Sequence, residues 1–445
     1  MNIKEQHILI LGMGVSGTAA ARLMLTENSS VVVVDKNPRS DPENSVALEE
    51  AGARITDDPG EVINEAFDLC IVSPGFSADH PWVQQVRARG IPVLPEFEIG
   101  WFRTAGKTLA VSGSNGKSTV VKWIAEALRK SGRRALACGN FGIPVCDIVG
   151  QKIEPEFLVM ELSSFQLESM MQFRPDAALL LNVRPNHLDR HGSLEEYRHI
   201  KLRLFEHLRE DRPAVIPEEL HDEASNLYPD RNWVTFGVSA RADFRYENAH
   251  LFYKGQVIAD LSGTLYGNDV MGASAAGAVA LLLGVGVPLS DALGALQKLE
   301  SLPHRQQEIL VANGVRFVND SKATNLAAMH AAICASKGPV RLIAGGQAKE
   351  KDFNSVKEVL AECVRSVYLI GRDAESMASA WQNTVRCVLC ETLERAVDEA
   401  WADACSGETV LLSPGCTSYD QFNNFEERGN AYIEKVRSLN MEVLK

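Results

Sequence analysis

The chain lacks any apolar run long enough to span a bilayer, which excludes a transmembrane helix. A secretory leader is missing too. In MNIKEQHILIL the apolar stretch is short and a glycine turn follows at once, so a cytoplasmic protein is expected. Basic residues are in deficit: 45 Lys and Arg against 58 Asp and Glu leave a formal charge of −13. That balance excludes a general nucleic-acid or anionic-membrane surface, which needs clustered cations. A local anion site stays open, because a few aimed donors outweigh the mean field. The nine cysteines are odd in number and irregularly spaced. Cys70 in DLCIVS and Cys138 in ALACGN read as small hydrophobes. Cys387 and Cys390 have C-x-x-C spacing, but RCVLCE reads as a strand and no second pair completes a zinc set. Core thiols in a reducing compartment are expected. Tandem short repeats and low-complexity segments are also absent, so neither a repeat array nor a disordered tract organises the chain.

What is present is enough core for more than one domain: 445 residues, 45% of them hydrophobic. Strand HILIL, a turn Gly12-Met13-Gly14-Val15-Ser16-Gly17, helical TAAARLML and strand VVVVD ending at Asp35 open a parallel βαβ block. Strands DLCIVSPG and IPVLPE continue it, up to a seam near 100–107. A second block runs through strands TLAVSG, FLVMEL and AALLLNV to a buried helix, GASAAGAVALLLGVGV. From about residue 303 a third alternates strands VRFVND, VRLIAGG, SVYLIG, VRCVLC and TVLLSPG with helices. The expected fold class is α/β with three domains: Rossmann-like over 1–105, a P-loop ATPase-like central domain over 106–302, and Rossmann-like over 303–445.

The second block carries the clearest chemistry. VSGSNGKSTV is a phosphate loop of unusual length: Gly113 stands three before Gly116, and Val111 occupies the usual first-glycine place. A strand runs into Gly113, Ser114, Asn115, Gly116 and Lys117, and a helix starts at Ser118 and Thr119. Small residues let backbone N–H groups turn inward, and the helix N-terminus adds positive potential. Lys117 is placed to neutralise phosphates, and Ser118 or Thr119 to reach Mg²⁺. The bland alternative is an ordinary strand-to-helix turn that carries a lysine.

A phosphoryl-transfer site also needs metal-binding groups at neighbouring strand ends. FLVMEL delivers Glu161 to such an end, where an ionised carboxylate is costly unless paired or metal-bound. The loop RPNHLDRH offers His187 and Asp189; alone, His187 would read as a solvated loop residue. In GSLEEYRHIKLRLFEHLRE, Ser193 and Glu196 form a capping box, and a helix is expected through Leu208. Its apolar stripe runs Leu194, Tyr197, Lys201, Leu204, Leu208, with Lys201 on the buried face. Snorkelling to the helix edge is the default reading of such a lysine. A buried, neutral amine able to add carbon dioxide is the other.

In the third block, Asp320-Ser321-Lys322-Ala323-Thr324, Gln347-Ala348-Lys349 and Cys416-Thr417-Ser418-Tyr419 follow strands. Together they suit a small carboxylate-bearing ligand. His304 and Arg305, at the second seam, are placed to reach a phosphate.

Taken together, GMGVSG, SGSNGKST, GNFGIP, ELSSFQLE, NHLDRH, LPHR, NDSKATN, GGQAKEKDF and LLSPGCTSYDQFNNFEERG resemble the Mur ligase family over essentially the whole chain. These are ATP-dependent enzymes that add amino acids to the peptidoglycan precursor. The resemblance implies ATP, UDP-N-acetylmuramoyl-L-alanine and glutamate as substrates, joined through an acyl phosphate by a monomer without nucleic-acid or membrane partners. It implies Mg²⁺, two ions, on Ser118, Glu161, His187 and a carbamylated Lys201, with catalysis shared by Lys117, Glu161, His187 and Lys201. ATP would be served by residues 113–119, His304, Arg305 and Asp320. The UDP-sugar would meet Gly14, Val15, Ser16, Asp35, Lys36, Pro74, Gly75, Asn140 and Gln166. Glutamate would meet Lys322, Thr324, Lys349, Ser418, Tyr419 and Phe425.

Two points qualify the likeness. GMGVSG with Asp35 also fits the dinucleotide fingerprint, so an NAD-linked oxidoreductase is a rival reading of the first block. The family's G-x-H-N-x-x-N adenine segment is here GNDVMGA, with Asp269, Val270 and Ala273 at the polar places and Asn268 nearby.

Overall fold

The computed structural model describes residues 6–38, 41–62, 64–262, 264, 266, 267, 269–296, 302–349 and 351–443. The chain divides into two compact units: one takes residues 1–183, 195–264 and 272–298, the other 184–194, 265–271 and 299–445.

The first unit contains two sheets. Strands β1 (His7–Leu11), β2 (Ser30–Val34), β3 (Arg54–Thr56), β4 (Leu69–Val72) and β5 (Val93–Pro95) form a five-stranded sheet ordered β3-β2-β1-β4-β5. Every pairing in it is parallel. HILIL, SVVVV and LCIV are continuous apolar runs because a parallel sheet is covered on both faces. Strand order reverses at β1/β4, the kind of switch point at which sheets of this type open a crevice at the strands' carboxyl ends.

The second sheet takes β6 (Lys107–Ser112), β7 (Ala135–Gly139), β8 (Phe157–Glu161), β9 (Ala177–Leu180), β10 (Ala214–Pro217), β11 (Trp233–Gly237), β12 (Phe244–Glu247), β13 (His250–Tyr253) and β14 (Gln256–Asp260). Its order is β14-β13-β12-β11-β10-β9-β6-β8-β7, with β6 between β8 and β9. Only the β12–β13 and β13–β14 pairs are antiparallel. The helix Lys117–Lys130 packs behind β6 with Trp123 fully buried, its indole N–H donating to the Ala292 carbonyl at 2.9 Å. In the expected buried helix, now Asp269–Gly284, Ala275, Ala276, Ala278, Val279, Leu281 and Leu282 are all fully buried.

The second unit is built on β15 (Gln307–Ala312), β16 (Val315–Asn319), β17 (Val340–Gly345), β18 (Val364–Ile370), β19 (Arg386–Glu391) and β20 (Thr409–Leu412). The sheet order is β15-β16-β20-β17-β18-β19, parallel except for β15 against β16.

One sequence expectation needs correction. The helix expected through Leu208 is α-helical only over Leu194–Leu202 and then tightens to a 3₁₀ turn, Arg203–Phe205. The third sheet also carries a strand not expected from the sequence, β15, an antiparallel edge whose mixed exposure hid it from an apolar-run reading. Among the described residues no helix is long and apolar enough to cross a membrane. None of the nine cysteines is in a disulfide, and Cys387 and Cys390 do lie on a strand.

Candidate functional site

The phosphate loop leaves β6 at Ser112 and turns into the helix Lys117–Lys130 through Gly116, whose φ of 80° is left-handed. A side chain there would strain the backbone, which is why this position takes glycine. Asn182, just beyond β9, clamps the loop from one side. Its Oδ1 accepts from the N–H groups of Ser114 (3.1 Å) and Asn115 (3.0 Å), and its Nδ2 donates to the Asn115 carbonyl at 3.2 Å. Lys117 Nζ curls back to donate to the carbonyls of Gly113 (2.9 Å) and Ser114 (3.0 Å). Thr119 is buried at the first turn of the helix.

Glu161 ends β8 in register with Val111 and is 2% exposed. One of its oxygens accepts from Ser118 Oγ at 2.6 Å and the other from Asn140 Nδ2 at 2.6 Å. Lys201 is 1% exposed, so the apolar stripe does bury it and the snorkelling reading fails. Its Nζ donates to Ser112 Oγ (3.1 Å) and the Gly113 carbonyl (2.9 Å), and stands 5.4 Å from the Tyr197 ring centroid. Burial first, then the nearby charge of Lys117, hold its pKa well below the usual lysine value; Glu161 opposes them. Tyr197 closes the pocket floor with its hydroxyl 3.1 Å from Ser114 Oγ. Burial pushes that phenol up to about 12.

The glycine turn of the first sheet is shaped by close contact. A Cβ at Gly17 would stand 1.9 Å from the Gly12 carbonyl oxygen. Gly14 caps the following helix, and Val15 beside it is 76% exposed. Asp35 accepts from the N–H of Met13 at 2.7 Å and of Asn37 at 2.8 Å, so its carboxylate clamps the turn. Ser16, Lys36, Pro74 and Gly75 follow the same strand ends, with Lys36 and Gly75 solvent-facing. Gln166 is buried and its Oε1 accepts from Ser163 N and Oγ within a capping box.

In the second unit, loops after β16, β17 and β20 carry the expected cluster. Asp320 is 9% exposed, and burial pushes its carboxyl up to about 7 against hydrogen bonds from Gln306 N (3.1 Å) and Ser413 Oγ (3.2 Å). His304 packs beside Phe425, with its Nδ1 3.0 Å from Asn319 Nδ2 and Arg305 next in the chain. Lys322 Nζ lies 3.6 Å over the Phe425 ring, a cation–π contact. Thr324 and Lys349 are half-buried, Ser418 is buried and Tyr419 is 71% exposed. The buried Arg428 braces two of these loops. It donates to the Ser321 carbonyl (2.8 Å), Ser321 Oγ (3.0 Å) and the Cys416 carbonyl (3.2 Å).

His187 belongs to the second unit, where it caps the short helix Leu188–His191 in a left-handed conformation, φ 56°. Lys117, Ser118, Glu161 and Lys201 come together in the first. Asn268 lies outside the described residues, as do the side chains of Asp189, Asp269 and Val270. Among the described residues no three His, Cys, Asp or Glu side chains cluster as a metal set. At Glu161 the carboxylate and the Ser118 hydroxyl supply oxygen, the atom Mg²⁺ prefers, while Asn140 presents its amide N–H. Asn182, Ser112 and Arg428 were not expected. Ser112 and Arg428 lie inside stretches quoted for the family likeness, but nothing in those stretches marks their hydrogen-bonding role, and Asn182 is a single polar residue after a strand.

Three family profiles match the chain: the Mur ligase MurD-like N-terminal domain over residues 6–95, the Mur ligase middle domain over 111–271, and the Mur ligase glutamate ligase domain over 304–416. The UDP-N-acetylmuramoylalanine–D-glutamate ligase of Acidobacterium capsulatum is 33% identical, covering 98% of this chain and 97% of that one. The protein of the same name from Nitrosococcus oceani is 34% identical over 97% and 96%. Among solved structures, the MurF ligase of Thermotoga maritima in complex with ADP superposes with a TM-score of 0.64 at 17% identity, covering 92% of this chain and 95% of that one. These likenesses do not favour an oxidoreductase reading of the glycine turn. From its first strand to its last, in three successive domains, the chain belongs to the Mur ligase family.

Proposed function

We propose that the chain is an ATP-dependent ligase that joins D-glutamate to UDP-N-acetylmuramoyl-L-alanine in the making of peptidoglycan precursor. The observation that carries the reading is the convergence of buried Lys201 and buried Glu161 on the phosphate loop. End-to-end likeness to curated D-glutamate ligases supports the choice of substrates.

The substrate carboxylate attacks the γ-phosphorus of ATP, the bridging P–O bond breaks, and ADP leaves with its electron pair. The amine of glutamate then adds to the acyl phosphate carbonyl; phosphate departs, and the amine proton is released as the amide forms. Lys117 exchanges the Gly113 and Ser114 carbonyls for phosphate oxygens and follows the charge as it moves. Asn182 holds the Ser114 and Asn115 N–H groups and so fixes the loop, and the N–H groups at the start of the helix Lys117–Lys130 would receive the phosphates. Mg²⁺, held through Ser118 and Glu161 with His187 a further ligand on the sequence likeness, would neutralise charge on the transferring phosphoryl group. Burial and the nearby Lys117 charge lower the Lys201 pKa and so favour the neutral amine, which would add carbon dioxide at Nζ with loss of one proton to give a carbamate, an anion suited to that ion. Lys322, Thr324, Lys349, Ser418, Tyr419 and Phe425 are proposed to hold glutamate. Gly14, Val15, Ser16, Asp35, Lys36, Pro74, Gly75, Asn140 and Gln166 are proposed for the UDP-sugar.

Phosphate release with ATP, Mg²⁺, UDP-N-acetylmuramoyl-L-alanine and either glutamate enantiomer tests this. Release that depends on D-glutamate is expected. Release with neither enantiomer, or with L-glutamate alone, would overturn the reading.

A further inference from the structure

The helix Glu96–Trp101 leaves the end of β5 and carries two buried carboxylates that the phosphate loop and the glycine turn do not use. Glu98 is 0% exposed, and one oxygen accepts from three successive main-chain N–H groups: Met171 (2.7 Å), Gln172 (2.8 Å) and Phe173 (2.9 Å). Its other oxygen is buried with no hydrogen-bond partner among the described residues. Glu96 is 3% exposed and accepts from the Cys146 N–H at 2.7 Å, while its own carbonyl accepts from Cys146 Sγ at 3.4 Å.

Both donor segments flank strands of the second sheet, and each follows in sequence a residue proposed for the sugar-nucleotide. Met171–Phe173 follow the helix Ser164–Glu168, which carries Gln166. Cys146 follows the loop of Asn140, which itself donates to Glu161 at 2.6 Å. The contact is close: a Cβ on Gly100 would stand 2.6 Å from Val145 Cγ1, and the Phe97 and Trp101 rings meet Phe173 edge-on at 5.3 and 5.4 Å. Apolar packing alone would fill this seam equally well. A buried polar group is costly unless hydrogen-bonded, and a side chain that gathers three successive main-chain donors fixes direction as well as distance.

We infer that Glu98, assisted by Glu96, is a positioning residue of the ligase reaction, setting the Gln166 and Asn140 segments against the first sheet so that the sugar-nucleotide acid meets the phosphate loop. The inference rests on the proposed ligase reading. It acts through main chain, so its mark is on one substrate. Glu98→Leu is expected to raise KM for UDP-N-acetylmuramoyl-L-alanine about tenfold while KM for ATP stays within about twofold. Glu98→Gln, which keeps an acceptor oxygen, recovers most of the loss. A merely structural role would lower the folded fraction and move neither KM selectively.

Folded Glu98→Leu with both KM values unchanged, or with both raised alike, overturns the inference. If Glu98→Leu does not fold, Glu98→Asp decides. Its carboxylate is withdrawn by one methylene, so the same KM must rise, and an unchanged value overturns the inference. Should the unmodified chain release no phosphate with these substrates, the ligase reading fails by itself. Direct binding of UDP-N-acetylmuramoyl-L-alanine to the unmodified chain and to Glu98→Gln and Glu98→Leu then tests the positioning role separately. Equal affinity in all three overturns it.

Discussion

Lys201 shows how much one side chain can report. Its place on an apolar stripe is visible in the sequence, and burial beside Lys117 explains why its amine is held neutral more readily than an exposed lysine. Lys201→Ala is expected to slow phosphate release by roughly 10²–10³-fold, the scale of losing one preorganised charge stabiliser. A small added carboxylic acid should restore part of it. Unaltered turnover in that variant would remove Lys201 from the reaction. Gly17 gives a second prediction. Its missing Cβ is the only way the helix can approach the Gly12 carbonyl, and backbone does not yield as a flexible side chain does. Gly17→Ala should cost about 1–3 kcal/mol of stability, read by denaturant titration, and weaken UDP-sugar binding with it. Asn182 was invisible by contrast, since one asparagine after a strand looks like any other until the loop folds onto it.

Among elements, strand–turn–helix units were the most legible. TLAVSG running into GSNGKST predicts β6, the loop and the following helix together, because apolar run, small residues and helix start agree. The β10–β14 extension was not read: RNWVTF and FRYENAHLFYKGQVIAD mix buried and exposed positions, and no motif draws attention to them. Nor was the role of the helix Glu96–Trp101, because a carboxylate that accepts from distant main chain leaves no pattern in the amino acids. That helix carries its own pH signature. Burial pushes Glu96 up to about 7 from its usual 4.5. An acid raised in the folded state contributes its full stability below the unfolded value and loses it as pH rises through the folded one. The thermal midpoint should therefore fall between about pH 4.5 and pH 7, and Glu96→Gln should flatten that fall. A midpoint that rises over the same range, or a slope that Gln leaves intact, counts against the assignment.

At the level of the whole molecule, the expected three-domain α/β architecture and Mur ligase membership agree with the family profiles. The seams drawn at 105 and 302 stay proposals, since sequence composition shifts only gradually there. The thiols give a test that spans both units. Cys334 and Cys405 are exposed and the other seven are buried or half-buried. A thiol reagent should label these two first, Cys405 ahead of Cys334 because burial and neighbouring Cys363 raise the latter's pKa. Seven further thiols should react only slowly or after unfolding.

The position of β20 has a consequence for how the protein comes into being. The strand of the third sheet that comes latest in the sequence, β20, is not an edge but lies between β16 and β17, pairing with both. Until residues 409–412 emerge, those two earlier strands face an unfilled slot and present bare edges to other nascent chains. Premature termination before Thr409 thus removes the keystone of that sheet, and the shortened product is expected to aggregate in the cell.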